Sequence, residues 1–242
     1  MFDIVVPLGP NDSIWIHKQI AATKANILGY RNIYIVTRQS NIQIEGCTII
    51  NESIFPFTIE SVQSILGKNE RNGWYLQQLL KLYAGGVIPG ILDRYLVIDS
   101  DVFFKNTTKF EEDDICLYTT GTEHHSPYFE HMKRLHPSLT RKMDASGIVH
   151  HMMFETKHIN GLFELVKQTH PSLVFWQAFL KNVDPQHILH SGASEYEIYF
   201  NYMLHHNPTC IRIRPLKWTN SPTINNYSEN YDYLAVHWYI RI

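Results

Sequence analysis

The sequence predicts an α/β protein built on a mostly parallel sheet with helices packed against its faces. Three observations predict it. Short β-branched runs alternate with helix-length amphipathic stretches through the N-terminal half. Strand–helix–strand order favours parallel pairing through crossover helices. The chain has 242 residues, 44% of them apolar, with no repeat or low-complexity segment, so it can bury a large core.

The elements follow in order. Ile4-Val5-Val6 is a short strand closed by the stiff turn Pro7-Leu8-Gly9-Pro10. Ser13 is placed to cap a helix over residues 13–28, with Gly29 as its stop. Residues 32–37 and 47–50 read as the second and third strands. A helix over 72–83, ended by Gly85-Gly86, precedes a strand at 95–98. Beyond residue 105 the alternation weakens and His, Tyr, Trp and Pro become denser. There the pattern predicts a strand-like run at 148–154 interrupted by His150-His151, and helices over 156–168 and 172–180 capped by Thr156 and Ser172. A helix opens at Ser194 and runs to about 204, and a strand at 234–240 closes the chain. No linker-like break appears, so residues 1–242 are expected to form one domain.

Composition excludes some classes. Lys and Arg number 21 against 23 Asp and Glu, too balanced for a broad basic nucleic-acid surface. Cys47, Cys116 and Cys210 are odd in number and widely spaced, which fits a reducing compartment better than a disulfide framework. The N-terminus reads as a strand rather than a signal peptide, and no apolar run approaches the roughly 18 residues of a membrane span. A soluble, cytoplasmic protein is expected.

The sharpest motif is Asp99-Ser100-Asp101, which closes the apolar run Tyr95-Leu96-Val97-Ile98. In an extended segment the two carboxylates point to one side, and such oxygens suit Mg²⁺ or Mn²⁺ shared with a phosphate. In the preceding helix Leu76, Leu79, Leu80 and Tyr83 form a core-facing stripe. Arg71, Trp74, Gln78 and Lys81 share another face. Lys81 reads as an ordinary solvated residue. Arg71 precedes the helix, where its guanidinium could meet an anion beside free backbone N–H groups. Ser194 and Glu197 have the spacing of a capping box, which leaves Glu195 free to face a cleft.

The strand ending in Val97-Ile98-Asp99-Ser100-Asp101, following an Ile4-Val5-Val6-Pro7 strand and turn, resembles the GT-A glycosyltransferases. So does a histidine in the last strand. The helix from Arg71 to Tyr83 looks like a subset of them found in bacteria and large algal or amoebal viruses. The resemblance implies a GT-A-like fold, with a nucleotide-binding half at about 1–104 and a more irregular, acceptor-side half at about 105–242. It implies that Asp99 and Asp101 bind Mn²⁺ or Mg²⁺, with His237 as a third ligand. Pro7, Leu8 and Gly9 would receive the base and ribose, and Arg71, Gln78, Asp99 and Ser100 the rest of the nucleotide-sugar. Glu195, or Glu197 beside it, would be the catalytic carboxylate. His150 and His151 point to opposite sides of a strand, so only one can serve the acceptor. His151 and Trp238 are placed there.

The activity so implied is metal-dependent transfer of a sugar from a nucleoside-diphosphate sugar, UDP-linked by preference, to a hydroxyl of a glycan or glycoconjugate. A degenerate sugar- or nucleotide-binding module is the alternative. A sugar-nucleotide pyrophosphorylase ranks lower, because the turn after the first strand lacks a glycine-rich, Arg-bearing loop.

Overall fold

The computed structural model describes residues 1–39, 41–225 and 231–242. Its centre is a five-stranded sheet in the order β6-β4-β1-β2-β3. These are β1 (Phe2–Pro7), β2 (Tyr30–Thr37), β3 (Thr48–Asn51), β4 (Arg94–Ile98) and β6 (His151–Glu155). All pairings are parallel except β6 with β4, in register His151 to Ile98. Every residue of β1 and β6 is buried, as are the last four of β4, because helices cover both faces. A small sheet joins β5 (Val102–Phe104), β7 (Trp218–Asn220) and β8 (Tyr233–Ala235) beside the end of β4. One hydrophobic cluster runs from Phe2 to Ala235 and so spans both halves of the chain.

The helices are α1 (Ile16–Asn26), α2 (Ile59–Leu66), α3 (Asn72–Val87), α4 (Ser126–Leu135), α5 (Thr156–Thr169), α6 (Phe175–Lys181) and α7 (Glu195–His206). Sequence reading missed α2, whose cap is Thr58: its hydroxyl accepts from Ser61 N, and Ser61 Oγ accepts from Thr58 N. Several expected ends move. Ser13 turns its hydroxyl back to Pro10 O, and α1 starts three residues later. Gly29 follows a two-residue strand, Ile27–Leu28, paired with Thr108–Lys109, rather than a helix end. Thr156 and Ser172 are not caps: Glu155 and Val174 hold those positions.

Gly85 and Gly86 do not stop α3, which continues to Val87. A Cβ on Gly85 would lie 2.2 Å from Thr156 Oγ1 and 2.6 Å from Tyr95 Cε1. That glycine lets α3 approach β4 and α5, a packing role rather than a terminating one. The predicted closing strand is also shorter. It ends at Ala235, and His237 precedes the 3₁₀ turn Trp238–Ile240, so strand alternation does not set its direction.

No helix among the described residues is long and apolar enough to cross a membrane.

Candidate active site

A cleft of about 450 Å³ lies at the carboxyl ends of β1 and β4, where ligands of open α/β sheets gather. Its lining includes Asp12, Arg71, Trp74, Lys81, Asp99, Ser100, Asp101, His150, Glu195, His237, Trp238 and Tyr239. The strand β4 ends at Ile98, and Val102 N donates to Asp99 O at 3.1 Å, so Asp99-Ser100-Asp101 is a tight turn. Both carboxylates reach the cleft because the chain turns there, not because it stays extended.

The two aspartates have different partners. Asp101 Oδ2 lies 2.8 Å from His237 Nδ1, and His237 Nε2 lies 3.1 Å from Asn220 Oδ1. Burial pulls the His237 pKa down, but the hydrogen bond and charge of Asp101 outweigh it and raise it above its ordinary value. Asp99 Oδ1 instead meets the Lys81 ammonium at 2.6 Å and accepts from the Tyr196 hydroxyl at 3.1 Å. Burial works to raise its pKa, yet Lys81 and His150 hold it well below the usual carboxylate range. Ser100 Oγ donates to Asp12 Oδ2 at 2.7 Å, and Arg241 donates to Asp12 Oδ1 at 2.5 Å. The first strand's turn therefore joins the aspartate turn through Asp12. Pro7 and Leu8 are buried and Gly9 is half-buried; none of the three is on the wall of the cleft.

Lys81 is the largest departure from the sequence reading. It is 4% exposed, not solvated, and its ammonium also lies 2.6 Å from Glu195 Oε1. Burial works against its charge, but Asp99 and Glu195 together raise its pKa above the ordinary lysine value. The signal was available: a lysine on the face that carries Trp74 and Gln78, upstream of a buried acidic strand end. Gln78 is buried below the cleft, where its Oε1 accepts from Glu195 N at 3.0 Å. It positions the start of α7 rather than lining the site.

Ser194 caps α7, accepting from Glu197 N at 3.3 Å. The reciprocal half of the box is absent. Glu197 accepts from Ser146 Oγ at 2.5 Å and Asn201 Nδ2 at 2.9 Å, buried and away from the cleft wall. It anchors the 146 loop to α7. Glu195 does reach the cleft floor.

The histidine pair resolves opposite to expectation. His151 is buried against Phe104, Phe110 and Tyr233, and burial depresses its pKa to about 3. His150 lines the cleft, with Nδ1 3.7 Å from Asp99 Oδ2 and its ring packed against Trp218 and His237. Its φ of +65° takes the backbone out of strand geometry, so simple alternation does not apply. Trp238 and Tyr239 form an exposed aromatic rim, 59% and 66% accessible. Arg71 lies over the Trp74 ring, donates to Ser191 Oγ, and has no carboxylate partner among the described residues. Its backbone N–H is not free, since it donates to Asn69 Oδ1 at 2.9 Å.

For a divalent cation, the Asp101 carboxylate suits Mn²⁺ or Mg²⁺ and the His237 imidazole, a softer donor, suits Mn²⁺ better than Mg²⁺, with Asp99 drawn off to Lys81. Among the described residues, the one group of three or more His, Cys, Asp and Glu whose ligating atoms lie within 4.8 Å of one another is elsewhere: Glu130, Asp184 and His187. There Asp184 is already held by Arg134 at 2.7 Å and Gln186 N at 2.9 Å.

Residues 12–222 match DUF6492, a family of unknown function. The chain belongs to that family. The DUF6492 match takes in the cleft from Asp12 through the aspartate turn and α7 to Asn220, and stops short of His237. No curated protein matches the chain.

Proposed function

We propose that this DUF6492 protein is a GT-A-type glycosyltransferase that uses a divalent cation and a nucleoside-diphosphate sugar, UDP-linked by preference, to glycosylate a hydroxyl of a glycan or glycoconjugate. One observation carries the reading: Asp101 and His237 sit 2.8 Å apart at the carboxyl end of β4, in the cleft that Asp12 enters from the end of β1. When bound, Mn²⁺ or Mg²⁺ supplies charge neutralisation for the departing diphosphate. Asp101 and His237 would hold it, and the Asp12–Ser100 bond keeps the turn that presents Asp101 in place. Arg71, stacked on Trp74 and without a carboxylate partner among the described residues, offers a guanidinium to the same anion. The Trp238 and Tyr239 rings give apolar faces against which a sugar can stack.

The test is a panel of UDP-sugars with and without Mn²⁺, read as binding and as slow release of UDP. Metal-dependent binding of at least one donor by the parent protein, lost in Asp101→Ala with the fold intact, is the expected result. A parent protein that binds none of them has another function. The Lys81–Asp99 pair, which removes one aspartate from metal duty, favours a second reading: a module that binds sugar nucleotides without turnover. Metal-dependent binding without hydrolysis or transfer would select it.

A further inference from the structure

The floor of the cleft is made by a buried lysine and two acids. A buried ammonium is costly unless its partners are close and complete. Lys81 Nζ meets Asp99 Oδ1 and Glu195 Oε1 at 2.6 Å each and lies 4.3 Å from the centre of the Tyr196 ring. The Tyr196 hydroxyl adds a hydrogen bond to the same Asp99 oxygen. One oxygen of each carboxylate is therefore spent on the lysine, which leaves Glu195 Oε2 and Asp99 Oδ2, the latter with His150 Nδ1 3.7 Å away. Helix α3 fixes Glu195 twice, through Lys81 to its side chain and through Gln78 to its backbone N–H. Groups held this way are preorganised acceptors.

We propose that Lys81 is a positioning residue that holds Asp99 and Glu195 as a paired hydrogen-bond acceptor for neighbouring hydroxyls of a sugar ring, and that Glu195 recognises substrate instead of taking its proton. Two carboxylates around one ammonium carry a net negative charge, so this floor repels phosphate and suits a neutral polyol, whose hydroxyls are donors. Phosphate chemistry is left to the Arg71 and Asp101–His237 parts of the cleft. Burial raises the Glu195 pKa against the pull of the Lys81 ammonium, so recognition and proton uptake are told apart by the split between KM and kcat in Glu195→Gln. The inference depends on the glycosyltransferase reading only for the identity of the molecule that carries the ring.

The experiment is isothermal titration of the full chain in Mn²⁺ with UDP, UDP-glucose, UDP-galactose, UDP-N-acetylglucosamine and free methyl pyranosides. The parent, Glu195→Gln and Lys81→Met are compared, with circular dichroism melting on each. The parent should bind at least one UDP-sugar about tenfold or more tighter than UDP, the scale of hydrogen bonds to charged groups. Glu195→Gln should keep the parental UDP affinity and lose that preference, whereas Lys81→Met, which leaves both carboxylates without their ammonium, should lose the preference and bind UDP no better than the parent. In transfer assays Glu195→Gln should raise the donor KM and leave kcat within a few-fold. A preference retained in Glu195→Gln, or a loss of kcat at constant KM, overturns the proposal. If Lys81→Met fails to fold, Glu195→Gln decides alone. Pyranoside binding by a parent that ignores UDP, abolished in Glu195→Gln, would sink glycosyl transfer and leave this inference standing. A parent that binds neither refutes both.

Discussion

At the scale of single residues, the two aspartates of one turn are expected to fail in different ways. Asp101→Ala removes the partner of His237 without stranding a buried lysine. It should weaken Mn²⁺-dependent nucleotide binding by at least about tenfold with little change in melting temperature, about the size of one charged contact. Asp99→Ala takes away one of two acids that neutralise Lys81. Breaking a buried pair costs about 3–5 kcal/mol, so this variant should show first as a lower midpoint in urea unfolding. Equal stability for the two variants would mean that Lys81 does not depend on Asp99. His150 and His151 make the same point about environment. Adjacent in sequence, one lines the cleft and the other lies in a cage of aromatic rings, because a single positive φ redirects the backbone between them.

At the scale of elements, α3 ties the site to the sheet. It supplies Lys81 to the cleft and Gln78 to the start of α7, and passes close to β4 and α5 at Gly85. Two neighbouring glycines should therefore respond in opposite senses. Gly86 is exposed, and a Cβ added there would meet nothing within 4 Å, so Gly86→Ala should stabilise by about 1 kcal/mol through helix propensity. Gly85→Ala drives a methyl into Thr156 and Tyr95 and should cost about 1–3 kcal/mol as overpacking. Urea unfolding of the two single variants checks both signs. Stabilisation by Gly85→Ala would show that the helix can move away from the sheet at that point.

At the scale of the whole molecule, buried neutral histidines should limit acid stability. Burial holds His131 down to about 4, with its Nε2 2.8 Å from Phe179 O, and His151 down to about 3. Unfolded histidines take up a proton near pH 6.5 while these two do not. The unfolded state then binds more protons between about pH 6.5 and pH 4, so stability rises with pH across that window and falls on acidification. His237 acts with the opposite sign. Its raised pKa contributes stability that is present below about pH 6.5 and is lost as pH rises through its folded value. Thermal midpoints measured from pH 7 to pH 4.5 should decline, and His151→Phe, placed among Phe104, Phe110 and Tyr233, should show a shallower decline. Parallel curves for parent and variant would remove His151 from the acid response.

The sequence by itself determined the strand–helix order of the N-terminal half apart from α2, the mostly parallel sheet and the aspartate pair at the end of β4. Each rests on local periodicity and on the cost of burying charge, which a linear pattern records. The same logic found Ser194 as a cap and Glu195 as a cleft residue. Tertiary structure alone decided the rest. Lys81 became a buried bridge because two acids, one from the aspartate turn and one from α7, close around it. Glu197 left the site because Ser146 and Asn201 satisfy it, and Gly85 continued a helix because two neighbours need its missing side chain. Asp12 entered the site through Ser100 and Arg241. Periodicity reports which side of an element faces inward; whether a charged group there is paired, spent or free depends on partners far away in the chain.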